Sequence, residues 1–141
     1  MITVTQSEEF ECSYLSSDIK TSCKFNSHRY TIDVTVAGDI VDNIIIEFSE
    51  FNALISMMLP ANSFIYNKSD KLESGIAESV KGYGIPTVGY NFEPSAENLV
   101  KHFAVTLQRL LDIKHRNVQV LQIDLHENAK SYASWRLWFV I

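Results

Sequence analysis

Few side chains in this 141-residue chain are placed to do chemistry, and the most telling of them is His28. It lies in Asn26-Ser27-His28-Arg29-Tyr30, which runs straight into the alternating stretch Thr31-Ile32-Asp33-Val34-Thr35-Val36-Ala37-Gly38. A neutral imidazole is a strong zinc ligand, but a zinc site needs three or four good donors. His102, His115 and His126 stand at no ligand spacing from His28 or from one another, so a hydrogen-bonded histidine at a strand end is the plainer reading. Cys23 has Lys20 and Lys24 close by, and a neighbouring cation is one way to lower a thiol into the reactive range. Glu97 falls in the first turn of a helix that Ser95 can cap. A carboxylate there either complements the helix dipole or accepts from a ligand N–H pair beside backbone donors the helix leaves unpaired.

The elements that must position these groups follow from periodicity. Ile2, Val4, Phe10, Cys12 and Tyr14 alternate with polar partners, giving a strand from Ile2 to Leu15 with a break near Ser7-Glu8. Ser16-Ser17-Asp18 is turn chemistry. Tyr30, Ile32, Val34 and Val36 share one face of a half-buried antiparallel strand. Gly38-Asp39 turns the chain, and Val41 to Phe48 reads as the hairpin partner. Ser49 then caps a short helix carrying Phe51, Leu54, Ile55 and Met58, which Pro60 ends. Ala61 to Tyr90 is irregular and reads as one long loop with a helical turn near Glu73 to Val80. A loop of that length in a compact domain is usually functional or mobile. The clearest helix carries Leu99, Val100, Phe103, Ala104, Leu107, Leu110 and Leu111, with His102 on its solvated side. Val118 to Leu125 is a strand whose apolar phase changes between Val120 and Leu121, the mark of a bulge or of burial on both faces. Tyr132 to Ile141, with Trp135 and Trp138, is the last strand.

Composition narrows the class. Residues 1–141 make one domain, and with 46% hydrophobic residues and no low-complexity tract it has a core to bury. No apolar run approaches the roughly 20 residues that span a bilayer, and the first nine residues are not a secretory signal. A net charge of −5 with scattered basic residues argues against a nucleic-acid partner. Two cysteines are too few for a disulfide scaffold, so both read as small buried residues in a reducing, cytoplasmic setting.

Together with Ile45-Ile46-Glu47-Phe48 and Pro94-Ser95-Ala96-Glu97-Asn98, the segment from Asn26 to Gly38 resembles the 6-pyruvoyl-tetrahydropterin synthase and 6-carboxytetrahydropterin synthase family. That family's pattern reads C-x-x-x-H-G-H-x-Y, V-x-V-x-V-x-G, I-D-F, D-H, P-T-x-E-N and V-x-V-x-E-T. The resemblance runs from Phe10 to Tyr132. It implies an α+β tunnelling fold: a four-stranded antiparallel sheet in the order strand-strand-helix-helix-strand-strand, with two helices on one face. It also implies homo-oligomers, trimers stacked into hexamers, closed through sheet edges that would otherwise stay bare.

Residue by residue, the chemical positions depart from the pattern. The three zinc histidines fall on Tyr14, Asn26 and His28, only one of them a good ligand. No resident cofactor is therefore expected, zinc held by His28 with Tyr14 or Cys12 being the alternative. The family's cysteine falls on Ser22, with Cys23 one place on, where a one-residue deletion restores it as nucleophile or base. The D-H pair falls in Leu59 to Asn67, which holds neither residue. The P-T-x-E-N segment survives in Ser95 and Glu97, which in the family line a heterocycle pocket at a subunit interface. The anchor glutamate falls on Gln122 counting forward from Val118, on Asp124 counting back from Tyr132, or on Glu127 if a bulge extends the strand. The expectation is a homologue that has lost the zinc-dependent lyase reaction and binds a pterin or purine-like molecule. An active lyase with a rearranged metal site and a non-catalytic oligomeric scaffold are the alternatives.

Overall fold

The computed structural model describes residues 1–15 and 26–139. In chain order the elements are β1 (Thr3–Tyr14), β2 (Asn26–Gly38), α1 (Phe48–Met58), β3 (Ser63–Asn67), α2 (Lys71–Gly82), β4 (Thr87–Tyr90), α3 (Ala96–Lys114), β5 (Val118–His126) and β6 (Tyr132–Trp138). The strands form one mixed sheet in the order β4-β3-β1-β2-β5-β6. The expected four-stranded antiparallel sheet is present as β1-β2-β5-β6. It is extended, against expectation, by two parallel strands that pair with β1 through β3.

That extension corrects the reading of residues 61–90 as a loop. The segment is a strand-helix-strand crossover, the connection that parallel neighbours require. Its strands have only five and four residues, too few to show a period. Asp70 caps α2 by accepting from the Glu73 backbone N–H at 3.0 Å, so the helical turn expected near Glu73 is a full helix and the described residues hold three helices rather than two. Ile65 joins the main core, while Phe64, on the opposite face of the strand, is also buried.

Three other expectations shift. No break interrupts β1 at Ser7-Glu8, because the ladder with β2 continues from Thr3↔Ala37 to Tyr14↔Asn26. Val41 to Phe48 is not a strand: Val41 and Ile44 form an isolated bridge, and α1 starts at Phe48. Glu47, not Ser49, is the N-cap residue, and the Ser49 hydroxyl donates to the Glu47 carboxylate.

The core lies between the sheet and the helices. Tyr30, Ile32, Val34 and Val36 are fully buried from β2, meeting Phe10 and Cys12 of β1, Leu121, Ile123 and Leu125 of β5, and the apolar stripe of α3 from Leu99 to Leu111. The opposite face of β1-β2-β5 is polar and internally bonded. Thr5 pairs with Thr35 at 2.8 Å, Ser7 donates to Asp33 at 2.5 Å, and His126 Nε2 lies 3.0 Å from Asp33 Oδ2. The change of apolar phase in β5 is a register shift where Gly38 pairs with Val118 and Ala37 with Val120, leaving Gln119 as the extra residue.

Gly38 is required at that crossing. A Cβ there would press on the Asn117 carbonyl oxygen and come within 2.8 Å of Val118 Cα, backbone atoms that cannot swing away. Gly38→Ala is expected to cost about 1–3 kcal/mol, as over-packing does, and a chemical denaturation midpoint measured beside wild type checks it.

Candidate functional site

The β1–β2 register opposes Cys12 to His28 and Tyr14 to Asn26. Residues 10, 12 and 14 share a face of β1, and 28, 30 and 32 share the matching face of β2, because side chains alternate along a strand. The result is a column of four near-parallel rings: Phe10 on Tyr30 at 5.3 Å, Tyr30 beside His28 at 5.7 Å, and His28 on Tyr14 at 5.2 Å, with interplanar angles of 23–24°. Phe103 of α3 closes on Phe10 edge-to-face at 6.2 Å, the favoured geometry for rings that are not stacked.

A second aromatic group adjoins it. Tyr90 and Phe92 stack at 4.9 Å, and His102 meets both, at 5.1 and 5.4 Å. His102 is thus half-buried against rings rather than on a solvated side. Burial, and then the Arg109 guanidinium on the same helix, hold its pKa below the ordinary 6.5.

Acidic groups surround the free end of the column. Burial pushes the Tyr14 phenol up, and the charges of Glu127, Cys12 and Glu93 add to it. Burial likewise pushes up Tyr30, helped by Tyr14, Cys12 and Glu127, and Tyr90. Cys12 is buried and pushed up to about 12, which leaves it an unreactive thiol at neutral pH.

These residues do not fit the family's zinc. Of the three matched positions, His28 keeps an imidazole, whereas Tyr14 offers a phenol whose proton is held more tightly than usual, and a protonated phenol is a poor ligand. Among the described residues, no group of three or more histidine, cysteine or carboxylate side chains is arranged to hold a metal ion.

The other sequence-derived candidates separate. Ser95 caps α3, its hydroxyl accepting from the Asn98 backbone N–H at 3.2 Å, and Glu97 is exposed in the first turn. Glu93, two residues before Ser95, brings this helix start within electrostatic reach of Tyr14. Gln122 and Asp124 alternate with the core residues Leu121, Ile123 and Leu125, and so belong to the polar face away from the ring column. There Arg136 donates to Gln122 Oε1 at 2.8 and 2.6 Å, and Asp124 accepts from Ser134 and from Gln122. Of the three candidate positions for the anchor, Glu127, one residue beyond β5, is the one whose charge helps to raise the Tyr14 and Tyr30 phenols. Cys23, with Ser22, Lys20 and Lys24, lies outside the described residues. Tyr90, Phe92, Glu93 and His102 were not singled out from the sequence as site residues. The available signal was Tyr90-x-Phe92 leading directly into the Pro94 motif.

A mixed sheet backed by helices, with the ring column at one end of β1 and β2, makes an α+β fold. The chain belongs to the 6-pyruvoyl tetrahydropterin synthase family, whose model matches residues 3–137. It is 21% identical to the 6-carboxy-5,6,7,8-tetrahydropterin synthase of Haemophilus influenzae, covering 98% of this chain and 92% of that protein. Among solved structures, a catalytic-residue mutant of Plasmodium vivax 6-pyruvoyltetrahydropterin synthase matches with a TM-score of 0.70 at 14% identity, over 99% of this chain and 100% of that one. The Caenorhabditis elegans 6-pyruvoyl tetrahydropterin synthase matches at 0.60 and 13% identity, over 96% and 94%. At these identities the structural likeness speaks for the fold. No helix among the described residues is long and apolar enough to cross a membrane.

The half-buried histidine makes stability depend on pH in a stated direction. His102 binds its proton less readily in the fold than in the unfolded chain. Its contribution is therefore whole above 6.5 and is lost as pH falls below that value, where the unfolded chain protonates first. His102→Phe is expected to shed part of the wild-type fall in melting temperature below pH 6.5, measured by paired melts across the pH range.

Proposed function

We propose that this protein binds a pterin or a related purine-like planar heterocycle and does so without the zinc-dependent lyase reaction of its family. The observation that carries the reading is the Tyr14–His28 stack, at 5.2 Å, in the positions the family gives to metal ligands. Two phenols with raised pKa values and one imidazole supply ring faces and neutral hydrogen-bonding groups in place of an electrophilic ion. With no aspartate–histidine pair in Leu59 to Asn67, general acid–base relay by the family's route has no agent.

Binding has support of its own. Glu127 and Glu93 are carboxylates close enough to perturb Tyr14, and Glu97 and the Ser95 cap stand at the start of α3. A carboxylate accepts from the paired N–H groups of an aminopyrimidine edge, and aromatic walls suit the flat body of such a ligand. Glu127 is the preferred anchor over Asp124 and Gln122, whose polar atoms are engaged by Ser134 and Arg136. The protein acts as a homo-oligomer, a trimer or hexamer, with the heterocycle near a subunit boundary. In support, β6 is an edge strand and β1 pairs with β3 only at Cys12 and Ser13. The rest of the outer edge of β1 is left for a strand of another copy.

Calorimetric titration of the purified protein with neopterin and with guanine tests the reading. Binding in the micromolar range is expected, weakened at least about tenfold in Glu127→Gln, roughly the 1.4 kcal/mol or more of a lost charge-assisted hydrogen bond, and less in Glu97→Ala. No binding at millimolar ligand, or one zinc per chain in protein made without a histidine tag, would overturn it.

A further inference from the structure

The polar face of the sheet holds a pocket separate from the ring column. It measures about 400 Å³ and is lined chiefly by Arg29, Thr31, Asp33, His126, Glu127 and Asn128. Register brings these residues together. Thr31 pairs with His126, the last pair between β2 and β5, and the turn that follows carries Glu127 and Asn128. Beyond that pair, Asn26 to Tyr30 of β2 have no partner in β5, so β5 does not divide the two faces there. Glu127 stands at this gap. It lines the pocket on one face, and its charge helps to raise the Tyr14 and Tyr30 phenols on the other.

The central group of the pocket is an oriented imidazole. His126 Nε2 lies 3.0 Å from Asp33 Oδ2, and Ser7 donates to Asp33 Oδ1, so both carboxylate oxygens are engaged. A carboxylate only accepts, which places the proton on Nε2 and a lone pair on Nδ1. Tyr132 packs on the same ring at 4.7 Å and holds its plane. None of these contacts uses Nδ1. Asn128 Oδ1 accepts from the backbone N–H groups of Lys130 and Ser131 at 2.8 and 3.0 Å, which fixes the turn and leaves the amide NH₂ as a donor. The Thr31 hydroxyl both donates and accepts. Neighbouring hydroxyls on a ligand need such a set, because each gives one hydrogen bond and accepts others. A phosphate would need donors alone, and the carboxylates of Asp33 and Glu127 oppose it.

We propose that this pocket receives a hydroxylated side chain of the bound heterocycle, its adjacent hydroxyls held by His126, Thr31 and Asn128, with Asp33 as the positioning residue. The inference rests on the heterocycle reading given above and adds the class of ligand to it. That class is a ring bearing a vicinal diol, as a ribose or a trihydroxypropyl chain does, rather than a bare base. Glu127 anchors the ring at the gap, and the chain turns past the end of β5 onto the polar face.

Calorimetric titration with two matched pairs tests it, neopterin against pterin and guanosine against guanine, with circular dichroism as the control for folding. In at least one pair the hydroxylated member is expected to bind about tenfold more tightly than its bare partner, the gain of one or two net hydrogen bonds. His126→Phe keeps a ring against Tyr132 and is expected to cut that preference to within about twofold, with the affinity for the bare partner unchanged. Asp33→Asn leaves His126 both nitrogens but loosens its orientation, and is expected to lose part of the preference. If His126→Phe loses its fold, Thr31→Val decides, with a loss of about threefold confined to the hydroxylated ligand. A preference in the neopterin pair alone assigns the diol to a trihydroxypropyl chain, and one in the guanosine pair alone assigns it to a ribose. Equal binding within both pairs, or a preference that His126→Phe leaves intact, overturns the subsite while the heterocycle reading stands. No binding by any of the four at millimolar concentration brings down both.

Discussion

The antiparallel ladder between β1 and β2 is the constraint from which the rest of the structure follows. It runs in register from Thr3↔Ala37 to Tyr14↔Asn26. Because side chains alternate, a slip of one residue would exchange every buried group for a polar one. Tyr30, Ile32, Val34 and Val36 would face water, and Thr31, Asp33 and Thr35 would face the helices. The same alternation delivers Phe10, Cys12 and Tyr14 opposite Tyr30 and His28. Core and candidate site are thus two ends of a single sorted surface, apolar in the middle and increasingly polar-aromatic toward Tyr14.

That continuity bears on the proposal that the zinc-dependent reaction is lost while the framework is kept. The rings at Tyr14 and His28 extend a stack that begins in the core at Phe10 and Phe103, so they are supported by packing. A metal site needs converging lone pairs with little tolerance in geometry. Stacked rings need only proximity and rough parallelism. On the proposed reading, exchanging one set for the other keeps the strand ends ordered and removes the strongest local electrophile.

Much of this was legible in the sequence where one face of an element is buried and the other wet. The phase of β2, the stripe of α3, the Ser95 cap and the irregularity in β5 all came from periodicity and capping chemistry. Residues 61–90 did not, for a physical reason: β3 is buried at Ser63, Phe64 and Ile65 in succession, so no alternation marks it, and β4 is four residues long. The stretch from Val41 to Phe48 misled because its β-branched residues favour a strand by propensity. Two consecutive left-handed residues and the cap at Glu47 turn it into a tight reversal and a helix start instead. At the site, the sequence left Gln122, Asp124 and Glu127 open as alternatives, and the register of β5 shows that Gln122 and Asp124 lie on the face away from the rings. The aromatic group around His102 brings together two separate stretches of chain, at Tyr90–Phe92 and in α3, which no local pattern reveals.

The grip of Asn117 on Asp39 and Ile45 also bears on the order of events during synthesis. Its bonds span 78 and 72 residues of sequence, so a nascent chain that has emerged only as far as α3 lacks the clamp that flanks the Val41–Ile44 turn. Closing so distant a contact carries an entropic cost that later packing must offset. Until β5 docks, the reversal at Val41 and Ile44 has only its own two backbone hydrogen bonds to hold it, and the docking of the strand adds the Asn117 bonds on either side.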